Sequence, residues 1–448
     1  MEAAAEIKDH YRSDFERLRD GLPGGRIPWM KRRREAALAR FAAQGFPTVR
    51  DEAWKYTDTG VIARRTFTTA SPPARAALAR GDLAAFTIPG LDCHRLVFVD
   101  GRIAPELCDL DALPAGAAVG GLAAALEGDA AGVEKLLGRL ADDDGNGFAA
   151  LNTAFMTDGV CLRLADGVAL ERPVHVLHLS TADTDGTAVH PRNLVALGRG
   201  SRAVLIETYA GLREAAGLTN VQSEVLLGEG AELEHYKLQQ ESAKTFHIAD
   251  TGVHVPAGAR YRAHGIDAGG RLVRNGVRVR IDGAGAECEL NGLYVLAGRQ
   301  HVDNHTVIDH LKPDGVSREF FKGVLEGHAR SVFSGKVIVH PDAQHTDARQ
   351  TNHNLLLSEN AEADTRPQLE IYADDVKCAH GATVGQLDPD ALYYLQSRAI
   401  DEDAARSLLI YAFANDVIGR LSLEPVRSYL ERTLTERLLH GRRVEDLI

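Results

Sequence analysis

From residue 1 to about 150, apolar positions recur at helical spacing in segments rich in Ala, Leu, Arg and Glu, such as 30–44 and 119–139. Pro and Gly turns separate these segments, and one short run, Arg95 to Val99, looks like a single short strand. After about residue 150 the pattern changes. As far as about residue 386 the chain is a succession of short β-branched runs punctuated by Gly, with helical periodicity almost gone. The last sixty or so residues return to helix. Asp388-Pro389 supplies an N-cap and a proline at the first helical position, opening DPDALYYLQSR. A second helix is expected from about Glu402 to Arg420, apolar round most of its circumference and therefore buried on more than one side. A third, about Pro425 to His440, ends at Gly441. The chain thus divides into a mainly helical region over 1–150, a β region over 151–386 and a helical region over 387–448.

The punctuation of the β region repeats. Gly followed by a small residue recurs at Gly200-Ser201, Gly230-Ala231, Gly258-Ala259 and Gly285-Ala286, about 27 to 30 positions apart, with weaker versions at Ala329, Ala343 and Ala361. A fixed turn chemistry between short strands at such a period is the mark of a solenoid, whose rungs stack to bury a shared core. An antiparallel sandwich with similar turns is the alternative.

Charge and composition narrow the function. The chain carries 51 Lys plus Arg against 63 Asp plus Glu, a formal charge of −12. Its one basic run, Lys31 to Arg34, reads as a solvated helix face, so nucleic acid is not an expected partner. The N-terminal stretch has no apolar core, so neither a signal peptide nor a membrane span is expected there, and the protein is expected to stay in the cytoplasm. Cys93, Cys108, Cys161, Cys288 and Cys378 are scattered and never spaced as C-x-x-C, against a disulfide framework or a self-contained zinc site. Gly335-Lys336 is the only phosphate-loop candidate, but Arg330 stands where its first Gly should be and Val337 where Ser or Thr should follow, so no nucleotide-binding residue is assigned. No hydrolase elbow or zinc-protease helix occurs, and no catalytic residue is assigned either.

Two places hold candidate ligands. In His301-Val302-Asp303-Asn304-His305, a strand would put His301, Asp303 and His305 on one face, as a weak metal site or as a solvated outward face. In Leu369 to Gln386, an extended backbone would point Cys378 and His380 the same way, and a thiolate beside an imidazole suits an iron-sulfur cluster. Two ligands are too few, since clusters normally take four. The bland reading, a buried Cys and a hydrogen-bonded His before a turn, stands beside it.

At this segment the sequence resembles the SufB/SufD family of iron-sulfur cluster assembly (SUF system) proteins, on its SufD side. The strings that carry the resemblance are Asn352 to Ile400, with DDVKCAHGATVGQLD at its centre, GFPTVRDEAWKYTDT from Gly45 to Thr59, and QHVDNHTVIDH from Gln300 to His310. It covers nearly the whole chain, and departs at Ala399, where the family has glycine. It implies a mainly β fold with helical ends: a right-handed parallel β-helix core flanked by N-terminal and C-terminal helical regions. It further implies a non-catalytic scaffold subunit that pairs with a SufB-like paralogue and binds a SufC-like ATPase through the helices after Asp388. It implies, too, that no cofactor is held permanently and that a transient cluster would be shared with SufB, with His380 the expected ligand on this side and Cys378 its neighbour. A homodimer in isolation is compatible with this. The competing readings are a β-helix polysaccharide lyase-like enzyme and a stand-alone homodimeric metal chaperone. Deleting residues 388 to 448 is expected to leave a soluble solenoid, and Trp54-Lys55-Tyr56 has no derivable chemistry.

Overall fold

In the computed structural model, which describes residues 2–70, 78–141, 145–181 and 185–438, Gly200, Gly230, Gly258 and Gly285 all have φ between 61° and 66°. A side chain there would cost about 1–2 kcal/mol, which is why glycine recurs at these corners. The residue after each, Ser201, Ala231, Ala259 or Ala286, is buried inside the bend, where only a small side chain fits. The corners stack: the Gly200 amide donates to Glu229 O, that of Gly230 to Ala257 O, and that of Gly258 to Ala284 O. Each corner borrows an acceptor from the next turn, so no turn is satisfied alone.

Between corners, strands of mostly ten residues alternate between two sheets. The first sheet runs through Glu362–Ile371, Arg330–Val339, His301–His310, Leu272–Ile281, Phe246–Val255, Gly217–Leu227 and Arg192–Leu197. The second runs through Lys377–Gly385, Asp347–Leu356, Val316–Leu325, Glu287–Leu296, Arg260–Asp267, Glu232–Gln240, Arg202–Gly211 and Val174–Ser180. Neighbours within each row are parallel. The fold is therefore a parallel β-solenoid of about seven turns, and not the antiparallel sandwich. An aliphatic core from Leu96 to Ala373 runs between the sheets.

The strand expected near Arg95 is His94–Val99, which extends the second sheet beside Val174–Ser180. At this beginning of the solenoid the sheets end in short antiparallel strands, Arg102–Ile103 and Ala117–Gly121, which blunt the edges. The segment 119–139 is not one helix. Gly120 and Gly121 join the strand against Val160–Leu164, and helix then forms in two pieces, Leu122–Gly128 and Ala130–Glu134, the second capped by the Asp129 side chain on Gly132 N. Glycine pairs resist helix, and a strand partner was available. Further N-terminal helices, including Pro28–Gln44 and Gly147–Phe155, lie outside the first sheet, where Trp54 and Phe148 pack on Leu218, Phe246, Ile248 and Leu272.

The C-terminal helices are Pro389–Ser397, Glu402–Ile418 and Glu424–Leu438; Gly441 lies outside the described residues. Asp388 Oδ1 caps the first on Asp390 N, and Asp401 Oδ1 caps the second on Ala404 N, each at 2.9 Å. The wide apolar surface of the second is used within the chain. Ile410, Ala414, Val417 and Ile418 pack on Ile206, Tyr236, Ile266 and Leu293 outside the second sheet, with Val426 and Leu430 of the last helix in the same cluster. Lys322 fastens the docking: its Nζ donates to Asp416 Oδ2 at 2.5 Å and Phe413 O at 3.1 Å.

Candidate functional site

The solenoid ends without a lid. Strands Glu362–Ile371 and Lys377–Gly385 are the last of their sheets, each paired on one side only, and their inward residues are exposed or half-buried where the equivalent inward positions one turn earlier are buried. Such edges are templates for pairing with another chain. The first carries Pro367, which blunts it. The second, KCAHGATVG, has no proline and small side chains that leave its backbone accessible. Among the described residues, the exposed large apolar side chains gather around this end: Ile371, Tyr372, Val384, Tyr393 and Tyr394, with only Val49 and Leu110 elsewhere.

Cys378 and His380 both sit on this final strand, at inward positions. The register places Cys378 beside Ala348 and His380 beside Gln350, both buried, so the pair shares the face expected of it. Cys378 is half-buried against the aliphatic core. Burial pushes its thiol up, with Asp347 adding to the effect and a backbone hydrogen bond from Ala348 opposing it, so thiolate is disfavoured. His380 is exposed because no further turn covers it. Behind it lies Glu319, whose carboxyl burial pushes up to about 7. Thr306 is near enough to oppose that rise, but it makes no aligned hydrogen bond, and Glu319 Oε1 is left without a partner.

His301, Asp303 and His305 share the outer face of the first sheet, but that face is not solvated. The segment from Glu52 to Thr57 covers it. Arg274 is ion-paired with Asp303, donates to Ala53 O at 2.9 Å and lies 4.0 Å from the Trp54 ring centre. Thr57 Oγ1 donates to Asp303 Oδ2 at 2.6 Å and lies 3.1 Å from His301 Nε2. Arg366 pairs with Glu52 at 2.8 Å and lies over Tyr56. His305 stands apart, lining a cavity of about 360 Å³ with Trp54, Asp250 and Arg278. Burial holds both imidazoles down at about 4, hence neutral at pH 7. Among the described residues no group of three or more His, Cys, Asp or Glu could hold a metal ion.

Comparison with known proteins gives the family. "SUF system FeS cluster assembly, SufBD core domain" matches residues 178–413, and "SufBD protein N-terminal region" matches residues 5–176. The chain belongs to the SufBD family of iron-sulfur cluster assembly proteins. Relatives include an iron-sulfur cluster assembly SufBD family protein of Synechocystis sp., 32% identical over 416 residues and covering 91% of each chain. The iron-sulfur cluster assembly protein SufD of Escherichia coli is 30% identical over 413 residues, covering 91% of this chain and 92% of its own. Protein ABCI7, chloroplastic, of Arabidopsis thaliana is 29% identical over 424 residues, covering 92% and 87%.

In this SufBD protein the Trp54-Lys55-Tyr56 string thus has a structural role: it closes the outer face of the solenoid through Arg274 and Arg366. Sequence reasoning also missed Glu319 and Gln350. Each lies on a different strand from His380, and only the sheet register brings them into its file. Among the described residues, no helix is long and apolar enough to cross a membrane.

Proposed function

We propose that this chain is the SufD-type half of a two-chain scaffold, in which a SufB-like paralogue meets the open end of the solenoid and a nascent iron-sulfur cluster forms between them. The observation that carries this is the uncovered last turn, which puts His380 on a proline-free edge strand, with exposed apolar side chains on and just after the last two strands. An edge strand supplies backbone pairing, and the exposed apolar side chains supply area that makes pairing stable. His380 and Cys378 offer two ligands where a cluster takes four, so the partner chain is asked for the rest. The raised thiol favours His380 as the ligand and Cys378 as packing. The role is that of a scaffold and not of an enzyme, and the cluster is cargo.

A SufC-like ATPase docks on the C-terminal helices in this reading. The surface for it shifts from the helix Glu402–Ile418, whose apolar face is occupied, to Pro389–Ser397, where Tyr393 and Tyr394 are 74% and 58% exposed.

Co-expression with the SufB-like and SufC-like partners tests both parts. Val384→Asp with Tyr372→Asp should abolish recovery of the SufB-like chain, and Tyr393→Ala with Tyr394→Ala should weaken recovery of the ATPase. Unchanged recovery would remove the corresponding docking surface. His380→Ala should leave the complex assembled and lower its iron and sulfide content, Cys378→Ser having an equal or smaller effect. Full loading with His380→Ala would end the ligand role.

A further inference from the structure

Inward positions at one register of the second sheet form a file across successive strands: Leu290, Glu319, Gln350 and His380. Glu319 and Gln350 are 2% and 1% exposed, and Gln350 Nε2 donates to Glu319 Oε2 at 2.5 Å. Gly335 on the facing sheet makes room for this amide, because a Cβ there would collide with Gln350 Nε2. That bond uses one end of the amide only. Gln350 Oε1 is buried and has no hydrogen-bond partner. An acceptor so placed costs about 1–3 kcal/mol unless a donor comes to it. The next side chain in the file is His380, on the same face of a strand about 4.8 Å away.

A histidine that offers a lone pair from one ring nitrogen must carry its proton on the other, and the partner of that N–H decides which is which. We propose that Gln350, held in place by Glu319, is the positioning residue for His380: its Oε1 accepts the inner ring N–H and leaves the outer nitrogen with its lone pair facing the mouth of the solenoid. The outer nitrogen then meets iron as a neutral ligand of fixed direction. This rests on the reading of His380 as the cluster ligand only for its purpose; the hydrogen bond itself belongs to the chain alone. Glu319 sets the orientation because a carboxylate accepts the amide Nε2–H, which turns Oε1 the other way.

The test is the ring-nitrogen tautomer of His380 in the full-length, ¹⁵N-histidine-labelled chain, assigned by loss of its signal in His380→Ala. It is read at pH 8, above the value of about 7 to which burial pushes Glu319. The wild-type chain should show tautomer populations displaced from those of a free histidine imidazole. Gln350→Leu, which keeps the volume and removes the acceptor, should relax them to the free-imidazole mixture. Gly335→Ala displaces the amide without changing its chemistry and should shift the populations the same way. Identical tautomer populations in all three chains would overturn the proposal, whatever the cluster content. Full cluster loading in a His380→Ala complex would remove the ligand role and leave a tautomer shift standing as support for the hydrogen bond.

Discussion

Arg274 makes three contacts through one guanidinium: the Asp303 carboxylate, the Ala53 carbonyl and the face of Trp54. Both members of the ion pair are buried, so removing one leaves a charge without compensation. Arg274→Ala should therefore cost about 3–5 kcal/mol in urea unfolding, and the double variant with Asp303→Ala should recover part of it. A loss under about 1 kcal/mol would mean that the Glu52 to Thr57 segment is held by other contacts. None of this was legible in the sequence, because Trp54 and Arg274 are 220 positions apart in it. Cys378 and His380 were legible as a pair, since two residues on alternate positions of one strand need no knowledge of the fold to be placed together.

At the scale of elements, the repeat was readable because each glycine corner states its own backbone conformation. The break within 119–139 was not, because it depends on a strand some forty residues later offering a partner to Gly120 and Gly121. Ala399 is informative in the opposite sense. It closes the helix Pro389–Ser397 at φ 65°, with Ile400 N reaching back to Leu395 O at 3.4 Å, a termination made for glycine. Ala399→Gly should stabilise this junction by about 1 kcal/mol, seen as slower amide exchange in the helix; faster exchange would refute the strain. The helices that follow cover an apolar sheet face, which argues for a different outcome of the truncation than a soluble remainder. Deleting residues 388 to 448 would uncover Ile206, Tyr236, Leu238, Ile266, Leu293 and Val295, a contiguous apolar face. Such a truncation should aggregate on size exclusion, and a monodisperse product would show that the sheet face tolerates water.

For the whole molecule, buried imidazoles set the response to acid. Burial depresses His175 and His190 to about 3 and His178, His301, His305 and His310 to about 4. Below pH 6.5 or so the unfolded chain takes up protons at these six sites that the folded chain refuses, so stability falls as pH drops towards 4. Each site contributes up to about 1.4 kcal/mol per pH unit. Glu319, raised to about 7, works in the opposite sense above pH 4.3 or so, and burial raises Asp158 and Asp267 too, but these are three carboxyls against six imidazoles. Urea midpoints measured at pH 7.5, 6 and 5 should decline in that order; a flat series would mean that the imidazoles gain water or partners in solution. The two ends of the solenoid carry one more consequence. Short antiparallel strands close the sequence-early end, while the final turn keeps two long edges free. An object of this kind, stacking through that end, has a valence of one: its first neighbour consumes the single free face, so growth terminates at a closed pair and never propagates into a fibre.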